Sequence, residues 1–415
     1  MAAAIEVWEQ LDAVLREGSR TPADVLLGKY FRARRFIGSK DRREISRQVY
    51  GGLRHERALA WRLEQDGLGR SPRGMSLSGL IFLDGLSLEG LKEFFSGDSY
   101  CPSPLVDAET AWVKHRTGEP LLDEAMPEPV RFNFPDWMLS QLRELFGEQL
   151  AEAMAAMNAE APVGLRVNTL KATREEVIAA LKAEGLEPVP MERSEVGVRL
   201  RQRAVLPATR AFRDGWLEVQ DEGSQLVAQL VQAQPGELGI DFCAGAGGKT
   251  LALAAAMENR GRILAWDVAE SRFKKMKARM VRAGADNVQR RLLESEDDPF
   301  IDEFREAANW VLVDAPCSST GLWRRSPDLR RRTSESDLDE AVEQQRKILG
   351  SAARLVKPGG RLVYATCSVL ARENEDQMDW FLSNQSEFKC GEKMRLFPHE
   401  HGTDGFFGAV LERVS

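Results

Sequence analysis

No uncharged apolar run in this sequence approaches the roughly 18–20 residues that a membrane span needs, which excludes a helical membrane protein. The opening residues, Met1-Ala2-Ala3-Ala4-Ile5-Glu6, lack a basic stretch followed by an apolar one, so no signal peptide is expected. Cysteine is scarce and odd in number: five residues, far apart, at 101, 243, 317, 367 and 390. No Cys-x-x-Cys pair or histidine-rich tract supplies zinc-ligand spacing, so no metal site is expected. A disulfide framework does not suit a chain of 415 residues that can build a core of its own. The expected compartment is a reducing cytoplasm, with thiols that are either buried or reactive.

Positive charge is not in excess either. The formal net charge is −7, which argues against nucleic-acid binding over the whole surface. Locally the sign reverses. Between Lys29 and Arg54 lie nine basic residues (Lys29, Arg32, Arg34, Arg35, Lys40, Arg42, Arg43, Arg47, Arg54) against Asp41 and Glu44, a segment of net +7. Such a run is either a solvated helix face or a phosphate-contacting patch.

What is present is a soluble globular mix, 43% hydrophobic and 29% charged, long enough for two or three domains. Residues 1–125 read as helical. Val7, Leu11, Val14 and Leu15 recur at helical spacing, as do Ile45, Val49 and Leu53, and Ser39 is placed to cap a helix from Lys40. Pro127, Pro129 and Pro135 mark a boundary. Residues 126–219 read as a small α/β connector, with helices at 137–157 and 174–184 and short strands at 164–170, 197–200 and 216–219. From 220 onward strands (239–243, 262–267, 287–292, 310–314, 361–366) alternate with helices (221–233, 249–258, 270–283, 338–356, 372–384). That alternation implies a mostly parallel sheet covered on both faces.

The first of these strands runs into Phe242-Cys243-Ala244-Gly245-Ala246-Gly247-Gly248-Lys249-Thr250. Glycines let a ligand approach the backbone, and the helix that follows aims free N–H groups at it. Gly248-Lys249-Thr250 fits the tail of a phosphate-binding loop, but the first glycine of that motif is missing. Gly245-x-Gly247 opens a dinucleotide fingerprint, but Thr250 stands at its last glycine. The next strand ends at Asp267, about 20 residues on, where a carboxylate can take ribose hydroxyls. This suits NAD or S-adenosylmethionine and not ATP. The third strand leads to Glu294, which reads equally as an adenine contact and as a surface acid.

The fourth strand continues as Asp314-Ala315-Pro316-Cys317, the fifth as Ala365-Thr366-Cys367-Ser368. Both thiols therefore stand just past carboxyl ends of strands, the edge where open α/β sheets bind ligands. Cytosine offers a use for such a pair. Its carbon 5 is too weak a nucleophile to attack a sulfonium methyl until a thiolate adds to carbon 6. A second thiol can take the carbon-5 proton, and Asp314 is placed to hold a proton at ring nitrogen 3. Which cysteine attacks does not follow from placement. Cys243, Cys101 and Cys390 read as ordinary packed or surface thiols.

These residues carry a resemblance. The sequence resembles the Sun/NSUN family of RNA cytosine-5 methyltransferases, most closely its bacterial ribosomal-RNA branch. The match rests on Asp241–Thr250, on Asp314–Gly321 with Arg325-Ser326-Pro327-Asp328, on Tyr364–Ser368 with Glu373-Asn374-Glu375, and on His401–Phe407. Arg166-x-Asn168-Thr169-Leu170-Lys171 and Gln220-Asp221-Glu222-x-Ser224-Gln225 add to it. The helical N-terminus, with Lys40-Asp41-Arg42 and Tyr50-Gly51-x-Leu53-Arg54, resembles a NusB-type RNA-binding domain. The resemblance implies an all-α N-terminal domain, the connector, and a Rossmann-like S-adenosylmethionine-dependent methyltransferase domain over 220–415. It implies Cys367 as nucleophile, Cys317 as the residue that assists release, and Asp314 and Lys249 as their catalytic partners. The cofactor would lie against residues 242–249, Asp267, Arg272, Glu294 and Asp314. Two departures stand out: Ala246 replaces the family's usual proline, and Glu294 its usual aspartate.

The implied substrate is ribosomal RNA and the implied state a monomer with no membrane. The same chemistry on transfer RNA, a non-catalytic RNA-binding assembly factor, a small-molecule methyltransferase and an NAD-dependent oxidoreductase are the competing readings. The last two leave the cysteine pair unexplained.

Overall fold

The computed structural model describes residues 1–202 and 204–414. The chain divides into two compact units: Met1–Ala159 with Trp323–Thr333, and the remainder.

The first unit is helical. Helices Ala2–Arg16, Ala23–Ala33, Ser39–Arg54, Glu56–Gln65, Pro72–Phe82 and Asp107–Arg116 enclose a core of Val7, Trp8, Leu11, Val49, Leu53, Leu59 and Leu77. The helical spacing thus finds its buried faces. The expected cap is displaced: the helix begins at Ser39 itself, with Gly38 at the N-cap and no side-chain bond. Asp41 in its first turn complements the helix dipole instead. The expected helix at 137–157 is two helices, Leu139–Phe146 and Leu150–Asn158, because Gly147 (φ +51°) turns the chain between them.

Trp323–Thr333 completes this unit from far along the chain. Arg331 lies 2.6 Å from Asp12 and 3.1 Å from Glu56. The Asp328 carboxylate accepts from the Ala23 amide at 3.1 Å and from Arg332 at 2.7 Å. The Arg330 guanidinium stacks over the buried Trp323 ring.

The second unit holds two sheets. The smaller is antiparallel, in the order β2-β3-β1-β4, from β1 (Val163–Val167), β2 (Pro188–Pro190), β3 (Gly197–Leu200) and β4 (Leu217–Val219). Helix Arg174–Ala183, capped by a Thr173/Glu176 box, adds Val177 and Leu181 to the core behind it.

The larger sheet comprises β5 (Leu238–Asp241), β6 (Arg262–Asp267), β7 (Val288–Leu292), β8 (Ala308–Asp314), β9 (Val356–Thr366), β10 (Phe388–Leu396) and β11 (Phe406–Arg413), in the order β10-β11-β9-β8-β5-β6-β7. Pairs among β5 to β9 are parallel; β11 runs antiparallel to both neighbours. Alternate residues feed two cores. Trp266, Val311, Val313, Leu362 and Tyr364 face the side of helices Glu335–Ala353 and Glu375–Asn384. Ile263, Ala265, Leu312, Val363 and Ala365 face helices Glu222–Leu230, Gly248–Ala256 and Glu270–Ala283. The strand order reverses between β5 and β8, so their carboxyl ends flank the crevice where such sheets bind ligands. Strands β10 and β11 are additions to the expected pattern. No helix among the described residues is long and apolar enough to cross a membrane.

Candidate active site

At the end of β5 the chain turns through Gly245 (φ +54°) and Gly247 (φ +83°) before helix Gly248–Ala256. A Cβ at Gly247 would come within 2.7 Å of Met276 Cγ, whereas one at Gly245 would meet nothing nearer than Asp267 Oδ2 at 3.9 Å. The turn is packed from behind and open over Gly245. Asp267, at the end of β6, accepts from the amides of Gly245 and Ala269, each at 2.6 Å. One bond per oxygen leaves each with a free lone pair for a ribose hydroxyl. An open glycine turn, a helix N-terminus and an acceptor carboxylate fit a nucleoside-type cofactor.

Other predicted contacts divide. Phe242 turns its ring into the core against Trp266, and Cys243 packs partly buried against the same core with its thiol pushed well up by burial. Arg272 is exposed on the first turn of its helix. Glu294 is exposed just past β7, where the Leu293 amide donates to the Asp267 carbonyl at 3.0 Å and keeps this loop beside β6. Of the acids nearby, Asp297 is engaged by Ser351 at 2.5 Å and by Arg354. Asp298 is spent on the amides of Glu294 and Phe300.

The glycine turn is held from outside by charges that sequence patterning left without a role. Arg166 on β1 is buried and donates to Gln220 at 2.5 Å and to the Gly248 carbonyl at 2.6 Å; burial pulls its pKa down to about 10. Arg279 donates to the Ala246 carbonyl at 2.7 Å while pairing with the buried Glu218 of β4. Asn168 caps the carbonyls of Gly215 and Ala283 at 2.8 Å each. A buried arginine on an otherwise apolar strand was the available signal for Arg166; Arg279, on a highly charged helix, gave none.

Cys317 follows β8 and Cys367 follows β9, and the register pairs Asp314 with Ala365. Their sulfurs are 3.4 Å apart. Beside them Lys249 Nζ lies 2.6 Å from Asp314 Oδ2 and 5.5 Å from the Phe406 ring centre. The two thiols are unequal. The hydrogen bond from Cys317, aided by Ser319 Oγ at 3.5 Å and the Lys249 charge, holds Cys367 below the usual thiol range despite burial. Cys317 is raised well above it by its bond to Cys367, by burial, by the neighbouring thiolate and by Glu373.

Glu373 and Asn374 fasten both cysteine loops. The fully buried Glu373 carboxylate accepts from the Ser318 amide (2.7 Å), Ser318 Oγ (2.5 Å) and Gln345 Nε2 (3.1 Å). Asn374 joins Thr366 Oγ1 at 2.6 Å and donates to the Ser368 carbonyl at 3.1 Å. Gly321 packs backbone to backbone on Gly405, so the His401–Phe407 motif seats the Pro-Cys loop. Beneath the turn, Thr250 donates to Asp241 at 2.6 Å, and burial pushes Asp241 up to about 7. All five cysteines are free, and the described residues contain no group of three or more His, Cys, Asp or Glu that could hold a metal ion.

Comparison with known proteins agrees with this layout. Residues 228–412 match the family described as 16S rRNA methyltransferase RsmB/F, and residues 134–206 the ferredoxin-like domain of RsmF/B-like methyltransferases. The chain is 32% identical to ribosomal RNA small subunit methyltransferase B of Serratia proteamaculans over 72% of its own length and 71% of the relative's. It is 29% identical to the probable ribosomal RNA small subunit methyltransferase B of Synechocystis over 91% and 92%. The solved structure of PH0851 is similar over 100% of this chain and 99% of that one, at 28% identity and a TM-score of 0.79. The crevice at the strand ends, the glycine turn and these likenesses make the chain a member of the RsmB/F family of S-adenosylmethionine-dependent methyltransferases.

Proposed function

We propose that the protein methylates carbon 5 of cytosine in RNA, with small-subunit (16S) ribosomal RNA as its substrate, through a covalent cysteine adduct. The observation that carries this reading is the thiol pair, 3.4 Å apart beside the Lys249–Asp314 ion pair. The relatives' names and the basic helical N-terminus favour ribosomal over transfer RNA.

Cys367 is the nucleophile. Its lowered pKa supplies the thiolate that adds to carbon 6 of the ring, leaving carbon 5 nucleophilic. Asp314, held by Lys249, keeps the proton at ring nitrogen 3 as charge builds there. When bound, S-adenosylmethionine supplies an electrophilic methyl group; Asp267 would hold its ribose, Glu294 its adenine amino group, and residues 242–249 its methionine end, with Arg272 at the rim. Cys317 is the base for the last step. While Cys367 is an anion, that charge and the shared hydrogen bond keep Cys317 protonated. Once Cys367 is bonded to carbon, both restraints vanish. Cys317 can then take the carbon-5 proton, the ring double bond re-forms, and Cys367 leaves as a thiolate.

Residues 1–125 act as the RNA-binding domain, 126–219 as the connector and 220–415 as the catalytic domain, in a cytoplasmic protein. A monomer suffices, since one chain supplies every group named. Bisulfite sequencing of total RNA from cells lacking the gene tests the assignment: one cytosine of 16S ribosomal RNA should lose protection. Protection unchanged throughout ribosomal RNA, or lost from transfer RNA alone, contradicts it.

A further inference from the structure

The helical unit leaves two aromatic rings on its surface. Phe36 is 70% exposed and Tyr100 76%, and although 64 positions separate them their ring centres lie 5.9 Å apart at 37°. Apolar rings are normally withdrawn from water, and a lone exposed one means little. Two that meet across the fold while both stay largely exposed offer π surface to solvent.

The segment that carries Phe36 has positive charge to spare. Of the nine basic residues between Lys29 and Arg54, Arg34 pairs with Glu6, Arg47 with Glu44 and Asp84, and Arg54 donates to the Arg324 carbonyl. Arg42 donates to the Ile37 carbonyl before the helix and Arg43 to the Ser39 carbonyl. Lys29, Arg32, Arg35 and Lys40 are exposed and make no ion pair among the described residues. Arg35 adjoins Phe36 in sequence, and Lys40 lies in the first turn of the next helix. Asp41 and Asp98 are the nearest acids in sequence. Exposed cations on the segment that carries an exposed aromatic pair are the groups that hold single-stranded nucleic acid, phosphates on the cations and bases on the rings.

We infer that Phe36 and Tyr100 form a stacking platform for an unpaired base of RNA, with Lys29, Arg32, Arg35 and Lys40 neutralising the flanking phosphates. The site belongs to the proposed RNA-binding domain and rests on that reading. It adds a chemical preference: a single strand with a splayed base, not a duplex.

Fluorescence anisotropy with the full chain and three labelled probes tests it: ten-nucleotide oligouridine, its abasic counterpart and a ten-pair RNA duplex. The Phe36→Ala/Tyr100→Ala variant should bind oligouridine roughly ten- to a hundredfold more weakly. Its affinity for the abasic and duplex probes, and its salt dependence, should not change. The Phe36→Trp variant should bind like the parent. The Arg35→Gln/Lys40→Gln variant should weaken on both single strands and flatten the log–log salt slope by roughly 1.4. Unchanged oligouridine binding by the double alanine variant, or an equal loss on the abasic strand, overturns the platform. Binding is read without methyl transfer, so a failed platform leaves the thiol chemistry standing, and failed methylation leaves the binding result standing.

Discussion

Glu373 offers a sharp test of how the site is built. Its buried carboxylate accepts three hydrogen bonds, two of them from Ser318, the residue after Cys317. Replacing it with alanine strands the Ser318 amide in a water-free interior. Hydrogen bonds to a charged acceptor contribute about 1.5–3 kcal/mol each, so losing the two from Ser318 costs about 3–6 kcal/mol. Glutamine is different. Its amide oxygen can keep the Ser318 amide and Gln345, while its NH2 faces Ser318 Oγ, which can turn to donate toward Ser368, 3.3 Å away. One charged bond becomes a neutral one, at about 1 kcal/mol. At roughly 2–4 °C per kcal/mol for a unit of this size, Glu373→Ala should lower the melting temperature by about 6–24 °C and Glu373→Gln by about 2–4 °C. The glutamine variant also removes a negative charge that raises Cys317, so that thiol should alkylate at lower pH than in the parent. Calorimetry and iodoacetamide labelling against pH, with Cys317 followed by mass spectrometry, read both effects. Equal destabilisation by the two substitutions, or a Cys317 profile unmoved by Glu373→Gln, would show that the Glu373 carboxylate neither fastens the Ser318 loop nor raises Cys317.

Three further predictions concern the same crevice. The Lys249 charge favours the Cys367 thiolate, so the rise of kcat/KM with pH should level off below the ordinary thiol value of about 8.5 and move to higher pH in Lys249→Met; an unmoved profile contradicts the assignment. Arg166→Met removes the clamp on the Gly248 carbonyl at about 1.5–3 kcal/mol, and should weaken S-adenosylmethionine binding roughly ten- to a hundredfold by titration calorimetry without touching the ligand; an unchanged Kd rejects the clamp. Asp241 has its folded pKa raised to about 7 from about 3.9 unfolded, so its stabilisation is complete below pH 4 and lost as pH rises to 7. Asp241→Asn should flatten that part of the stability–pH curve, and a slope unchanged from parent would show that Asp241 does not titrate there.

Much of this was legible because local patterns and chemistry coincide. Alternating β and α segments placed the glycine turn, Asp267 and both cysteines at strand ends, and the parallel pairing of β8 with β9 brings the thiols into one crevice. What sequence did not give is long-range or unpatterned. Strand β10 is a mostly polar edge strand with no alternation to read, and β11, though apolar, was absorbed into a tail motif. Trp323–Thr333 follows the Pro-Cys loop in sequence yet packs with the helical unit, through pairs such as Arg331 with Asp12, 319 positions apart. The supports of the turn, Arg166 and Glu218, act across more than 60 positions, which no window of sequence displays. The inequality of the cysteines was beyond spacing too. It comes first from the hydrogen bond between the two thiols and then from burial, Ser319, Lys249 and Glu373, an environment that only the fold assembles around the sulfurs.

In the proposed reaction Cys367 attacks and Cys317 releases. Incubating parent, Cys317→Ala and Cys367→Ala proteins with 16S ribosomal RNA and methyl-labelled S-adenosylmethionine, then resolving them on a denaturing gel, tests it directly. The expected result is turnover without a stable adduct for the parent, a denaturant-resistant, methyl-labelled protein–RNA band for Cys317→Ala, and neither band nor methylated RNA for Cys367→Ala. A band that forms in Cys367→Ala, or normal methylation by that variant, would contradict it.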